Sequence, residues 1–149
     1  MDLSIETALP EDFDDLVELR LEAMKESLEA IGRFDRDRSI ERFRKSFDPE
    51  NTRKIRKEGI LAGFIATTHH HDHIHLDHLY VAPSFQSSGI GSLLMQKLVE
   101  TSEAKGLPIR LGALRASKSN SFYQRQGFVV LSEDEWDTYY ERAINPDGL

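Results

Sequence analysis

The chain has 149 residues, 39% hydrophobic and 30% charged, with a net charge of −7 and no cysteine. That length suits a single domain, residues 1–149, with a sizeable core. The negative charge argues against non-specific nucleic-acid binding, which rests on neutralising phosphates, and the lack of thiols excludes a disulfide framework, a thiolate metal site and a cysteine nucleophile. Residues 1–10 lack the basic and apolar regions of a secretory signal, and no apolar run nears the roughly 18 residues that span a bilayer. The expectation is a cytoplasmic protein with neither membrane nor nucleic-acid partner.

Residues 3–8 read as an opening strand ended by Pro10. A long amphipathic helix follows, with Phe13, Leu16, Val17, Leu21, Met24, Leu28 and Ile31 at three- and four-residue steps, and Gly32 stops it. Its first part is acidic: residues 11–30 hold eight acids against two bases, whereas residues 31–58 hold ten bases against six acids. The acidic stretch is either a solvated helix face or a lure for a cationic amine. A shorter helix with Ile40, Phe43 and Phe47 on one side lies between Asp35 and Asp48. Strands at 52–57 and 60–68 pair across Glu58-Gly59, a tight-turn signal, and a third strand covers 73–81. After Pro83 the period becomes helical again, with Ile90, Leu93, Leu94, Leu98 and Thr101 on one face and Gly106 at the end. A strand at 109–114, a short helix at 118–126 and strands at 128–132 and 136–142 complete a mixed α/β order.

The segment from Leu79 to Leu94 carries the chemistry. A strand runs into the small-residue loop Gln86-Ser87-Ser88-Gly89-Ile90-Gly91, which opens directly onto a helix. The first N–H groups of a helix lack internal partners and sit at its positive end, so an anion can lie on them where glycines leave room. Ser87, Ser88 and Ser92 offer further donors. The loop is neither a Walker loop nor a three-glycine dinucleotide fingerprint.

Gln86-Ser87-Ser88-Gly89-Ile90-Gly91 resembles the Gln/Arg-x-x-Gly-x-Gly/Ala cofactor loop of the GNAT superfamily of N-acetyltransferases. Leu79, Val81 and Pro83 precede it as in that family, and Phe122-Tyr123-Gln124-Arg125-Gln126-Gly127-Phe128 resembles its downstream Phe-Tyr-x-x-x-Gly-Phe motif. The resemblance covers essentially the whole chain. It implies a mixed, mostly antiparallel sheet of about six to seven strands flanked by about four helices. It further implies that Leu79, Tyr80 and Val81 bond the pantetheine arm of acetyl-coenzyme A and that residues 86–92, Ile90 included, hold its pyrophosphate. Tyr123 would protonate the departing thiolate. Many relatives place an asparagine six residues before the motif's phenylalanine; that position is Ala116 here, and Asn120 is the candidate substitute. For the base that deprotonates the amine, the resemblance points to Asp77, with His75 and His78 as the other local groups. The acceptor wall would lie around Leu28 to Arg38.

All six histidines fall within residues 69–78. Such density suggests imidazole ligation, but the first three sit at a turn and no helical His pair or cysteine supports them, so no resident metal is expected. The function implied is transfer of acetyl from acetyl-coenzyme A to a primary amine of a small molecule or peptide. The alternative is a module of the same fold that senses acyl-coenzyme A without turnover. The last strand, with Tyr139 and Tyr140, is a candidate homodimer surface or a core strand.

Overall fold

Pro10 cannot continue a strand, and the chain turns there through a 3-10 segment, Pro10–Asp12, in which the Asp12 carboxylate accepts the Leu9 N–H at 2.8 Å. This closes β1 (Leu3–Thr7) and opens α1 (Phe13–Ala30). α2 (Arg36–Ser46) begins where the Asp35 side chain accepts the Arg38 N–H at 3.1 Å, an N-cap. β2 (Thr52–Lys57) and β3 (Ile60–His69) pair antiparallel with Lys57 opposite Ile60, so Glu58-Gly59 is a two-residue turn, both residues at positive φ. β4 (Ile74–Val81), α3 (Ile90–Lys105), β5 (Ile109–Leu114), α4 (Ser119–Arg125), β6 (Val129–Glu133) and β7 (Asp137–Arg142) follow. A computed structural model describes residues 2–115 and 117–144. Ala116, the position of the family's asparagine, lies outside the described residues.

The strands form one seven-stranded sheet in the order β1-β2-β3-β4-β5-β7-β6, mixed because β4 and β5 run parallel. The chain groups into two compact units, one of Met1–Ala66 with His78–Gly91 and one of Thr67–Asp77 with Ser92–Leu149.

In the first unit, α1 buries Leu16, Val17, Leu19 and Leu21, so Leu19 joins the face expected from spacing. Phe43 of α2, 1% exposed, is the centre of an aromatic cluster: ring centroids of Phe13, Phe47, Phe64 and His78 lie 5.1–5.7 Å from its own. Buried rings at such spacings add to their area burial, and Phe→Ala at the centre costs about 3–5 kcal/mol. The acidic start of α1 is partly matched inside the protein. Glu18 pairs with Arg36, and Asp12 bonds Lys54 Nζ at 2.8 Å, where the two side chains are 13% and 8% exposed.

In the second unit, β5 and β7 pair with Leu111 opposite Tyr140 and Gly112 opposite Tyr139. One face carries Ile74, Leu76, Ile109, Leu111 and Tyr140, all buried; the other carries His75, Asp77, Arg110 and Glu141, which are more open. β7 lies between two strands and Tyr140 is 2% exposed, so that tyrosine is core while Tyr139 stays 38% exposed. The edge is β6, exposed along its length. Asp134 turns β6 into β7 by accepting the N–H groups of Trp136 and Asp137 and the Tyr139 hydroxyl at 2.7–3.0 Å.

Burial pushes the Asp12 carboxyl up, but the bond from Lys54, the Leu9 N–H and the charges of Lys54 and Arg56 together hold it below the usual carboxylate range. A carboxyl lowered on folding contributes stability above its unfolded value near 4, and that contribution is lost as pH falls through the folded value. Asp12→Asn is expected to cost about 2–3 kcal/mol at pH 7, by leaving Lys54 without its anion. It should also flatten the acid limb of a urea-denaturation series between about pH 5 and 3, the range bracketing that ordinary value.

Candidate active site

β4 leaves the sheet at Val81 and passes through a 3-10 turn, Pro83–Phe85, before α3. Its final residues lie close against β3: a Cβ at Gly63 would stand 2.6 Å from the Tyr80 carbonyl oxygen, so only glycine fits there. The Ala82 N–H donates to Ala62 O at 2.8 Å and fixes that approach. An isolated glycine inside a strand pattern was the available signal for this position.

Within the loop, Gln86 Nε2 donates to Val81 O at 3.1 Å and Ser88 Oγ donates to Phe85 O, which ties the loop back onto the strand end. Ser87 (φ 65°) and Gly89 (φ 88°) turn the chain through left-handed conformations. At Gly89 that angle, rather than space, demands glycine, because a Cβ there would meet nothing within 4 Å. Residues 86–89 are exposed while Ile90 is 3% exposed and anchors the first turn of α3. The result is an open, glycine-bearing entry to a 16-residue helix.

Leu79, Tyr80 and Val81 are half-buried at the end of β4. Tyr80 stacks in the first unit with Phe64 at 5.5 Å and His78 at 5.8 Å, and the Arg20 guanidinium lies 5.8 Å from its ring. His78 belongs to this aromatic group and its Nε2 bonds Ser46 Oγ at 3.1 Å.

In the second unit, Tyr123 is 7% exposed and packs with Phe122, Phe128 and Tyr140 at 5.6–6.1 Å. Asn120 uses its amide on the protein itself. Nδ2 donates to Leu114 O and Ser117 O at 3.0 and 2.7 Å, and Oδ1 accepts the Tyr140 hydroxyl at 2.7 Å. Ser92 is exposed in the first turn of α3.

The structure brings Asp77 together with two groups. Its Oδ1 meets His75 Nδ1 at 2.7 Å, and its Oδ2 accepts the Thr68 hydroxyl from β3 at 2.6 Å. Thr68 carries no motif, and only the β3–β4 register reveals it. Nearby, His73 Nδ1 bonds Asp72 at 2.8 Å and its ring stacks on His70 at 4.5 Å. Partial desolvation and the charge of Lys105 hold the His69 imidazole below its ordinary range. Among the described residues no group of three or more His, Cys, Asp or Glu side chains is arranged to hold a metal ion. Among them, too, no helix is long and apolar enough to cross a membrane.

Residues 22–138 match the family model for the acetyltransferase (GNAT) domain. The chain belongs to the GNAT acetyltransferase family. Solved structures agree on the GNAT fold. A PaiA N-acetyltransferase from Thermoplasma acidophilum, in complex with coenzyme A, superposes with a TM-score of 0.79 at 24% identity, covering 96% of this chain and 99% of that one. The ribosomal-protein-S18-alanine N-acetyltransferase from Escherichia coli gives 0.72 at 16% identity and 99% of both chains. Ard1 from Thermoplasma volcanium gives 0.71 at 17% identity, covering 97% and 99%. No curated protein matches the chain in sequence. Among the described residues, the seven-stranded mixed sheet and four α-helices accord with the six to seven strands and about four helices that the resemblance implied.

Asn120→Ala removes the bonds that tie α4 to the end of β5 and leaves a buried tyrosine hydroxyl short of a partner. An expected loss of about 2–3 kcal/mol in thermal or urea denaturation, with coenzyme A affinity within about twofold, would mark the residue as structural. Weakened affinity at unchanged stability would give it to the cofactor arm.

Proposed function

We propose that the chain is an acetyl-coenzyme A-dependent N-acetyltransferase that acetylates a primary amine of a small molecule or peptide. The loop Gln86–Gly91 carries this reading. It presents left-handed turns at Ser87 and Gly89, open space beside Gly89 and the start of a long helix, the arrangement a diphosphate needs. Family membership then selects coenzyme A among diphosphates.

Gln86, Ser87, Ser88, Gly89, Ile90, Gly91 and Ser92 would hold the pyrophosphate, mainly through backbone N–H groups. Leu79, Tyr80 and Val81 would align the pantetheine arm along the strand end. Asn120 would touch that arm only if released from its present partners. Tyr123 would give its hydroxyl proton to the departing thiolate, and the Asp77–His75 pair on β4 would receive the proton of the incoming ammonium. Most of the rate would come from holding amine and thioester at attack distance. A homodimer would use the β6–β7 end of the sheet, where Val129, Leu131, Trp136 and Tyr139 are exposed.

The test is release of free thiol from acetyl-coenzyme A in the presence of amino acids, polyamines, aminoglycosides and peptides. Tyr123→Phe is expected to lower kcat about a hundredfold with coenzyme A affinity retained. Gly89→Ala, strained at φ 88°, should weaken coenzyme A binding about tenfold by calorimetry. Coenzyme A binding without amine-dependent thiol release from any acceptor would favour the non-catalytic sensing module.

A further inference from the structure

Asp77 is poorly disposed to take a proton itself. Both carboxylate oxygens already accept hydrogen bonds, Oδ1 from His75 and Oδ2 from Thr68. What the arrangement does well is orient His75. An imidazole whose Nδ1–H is held by a carboxylate presents Nε2 as its basic nitrogen. Nε2 of His75 has no hydrogen-bond partner among the described residues, and the side chain is 41% exposed against 29% for Asp77.

The location favours access. β4 and β5 are in register only at Ile74 with Ile109 and His75 with Arg110, so His75 is the last β4 residue with a partner on β5. It stands on the open face of the second unit's sheet, opposite the face on which Tyr140 packs against Tyr123.

We infer that His75 Nε2 is the general base, and that Asp77 and Thr68 are positioning residues that set its tautomer and direction. The inference rests on the N-acetyltransferase reading above. In the step, Nε2 takes a proton from the ammonium, and the freed amine lone pair forms a C–N bond at the thioester carbonyl. The C–S bond breaks with its electron pair leaving on sulfur, which receives the Tyr123 hydroxyl proton. The second proton on the adduct nitrogen returns to the phenolate through solvent, and the imidazolium loses its proton to water. One proton is released for each amide formed.

The charged and titratable groups around His75 are Asp77 on its own strand, His73 in the turn just before it with ring centroids 6.5 Å apart, and Arg110 on β5 with Glu141 of β7 bound to it at 2.8 Å. None of them bonds Nε2.

The experiment compares wild type, His75→Gln, Asp77→Asn and Thr68→Val in pH–rate profiles of amine-dependent thiol release, with coenzyme A binding as the control for folding. His75→Gln is expected to lower kcat/KM about a hundredfold to a thousandfold and to abolish the limb that rises from acid to neutral pH, with coenzyme A affinity kept. Asp77→Asn should keep that limb but displace it, and Thr68→Val should displace it less. A rising limb intact in His75→Gln but lost in Asp77→Asn would overturn the inference while leaving the acetyltransferase reading in place. Absence of amine-dependent thiol release in the wild type overturns both. A measurement free of turnover and of any substitution is the ¹⁵N spectrum of histidine-labelled wild type at pH 8. It should show His75 as the Nδ1–H tautomer, and an Nε2–H tautomer would overturn the inference.

Discussion

The arrangement depends on β4 and on how far its neighbours follow it. Side chains alternate along a strand, so one register decides at once which groups enter the core and which face outward. At the start of β4, Ile74 and Leu76 are buried while His75 and Asp77 look to the open face, and the ladder to β5 ends at His75. A slip of one residue would bury the His–Asp pair and expose two core side chains. The Thr68 hydroxyl on Asp77 and the His70 N–H on His73 O, at 2.9 Å, fix that register locally. At the far end, Gly63 admits the Tyr80 carbonyl at a distance no other residue tolerates, which sets the strand from which the Gln86 loop departs.

Each unit has its own internal supports. The aromatic cluster around Phe43 and the buried Asp12–Lys54 pair hold the helices of the first unit against strands whose end leads into the loop at residues 86–91. An ion pair so little exposed adds little net stability but is costly to break, so it constrains position more than it adds energy. In the second unit, Asn120 and Tyr140 hold α4 to the sheet, and Tyr123 is embedded among Phe122, Phe128 and Tyr140.

Much of this was legible in residue order. The steps of α1, the Glu58-Gly59 turn, Pro10 and Gly106 marked element ends to within a residue or two, because they express local backbone chemistry. The pairing of Asp77 with His75 was half legible, since positions two apart on a strand share a face. Thr68 was not, because its relation to Asp77 needs the β3–β4 register. Nor was the use of Asn120: helical spacing put it near Tyr123, but the carbonyls of Leu114 and Ser117 that hold it come from the end of β5 and the turn after it. The place of the last strand also escaped the sequence. β7 inserts between β5 and β6, which makes Tyr140 core and leaves β6 as the edge.

By itself, then, the sequence determined the elements, their order and the glycine-bearing entry to α3, because periodicity, turn chemistry and the need for positive φ are local properties of the chain. It also carried the two spaced motifs that mark the family. Only the tertiary structure decided which side chains meet. The Asp12–Lys54 pair joins residues 42 apart, and β7 is placed inside β6. The Asp77 carboxylate likewise meets both His75 Nδ1 and the Thr68 hydroxyl of the neighbouring strand. Those outcomes follow from strand register and packing, which no single stretch of residues encodes.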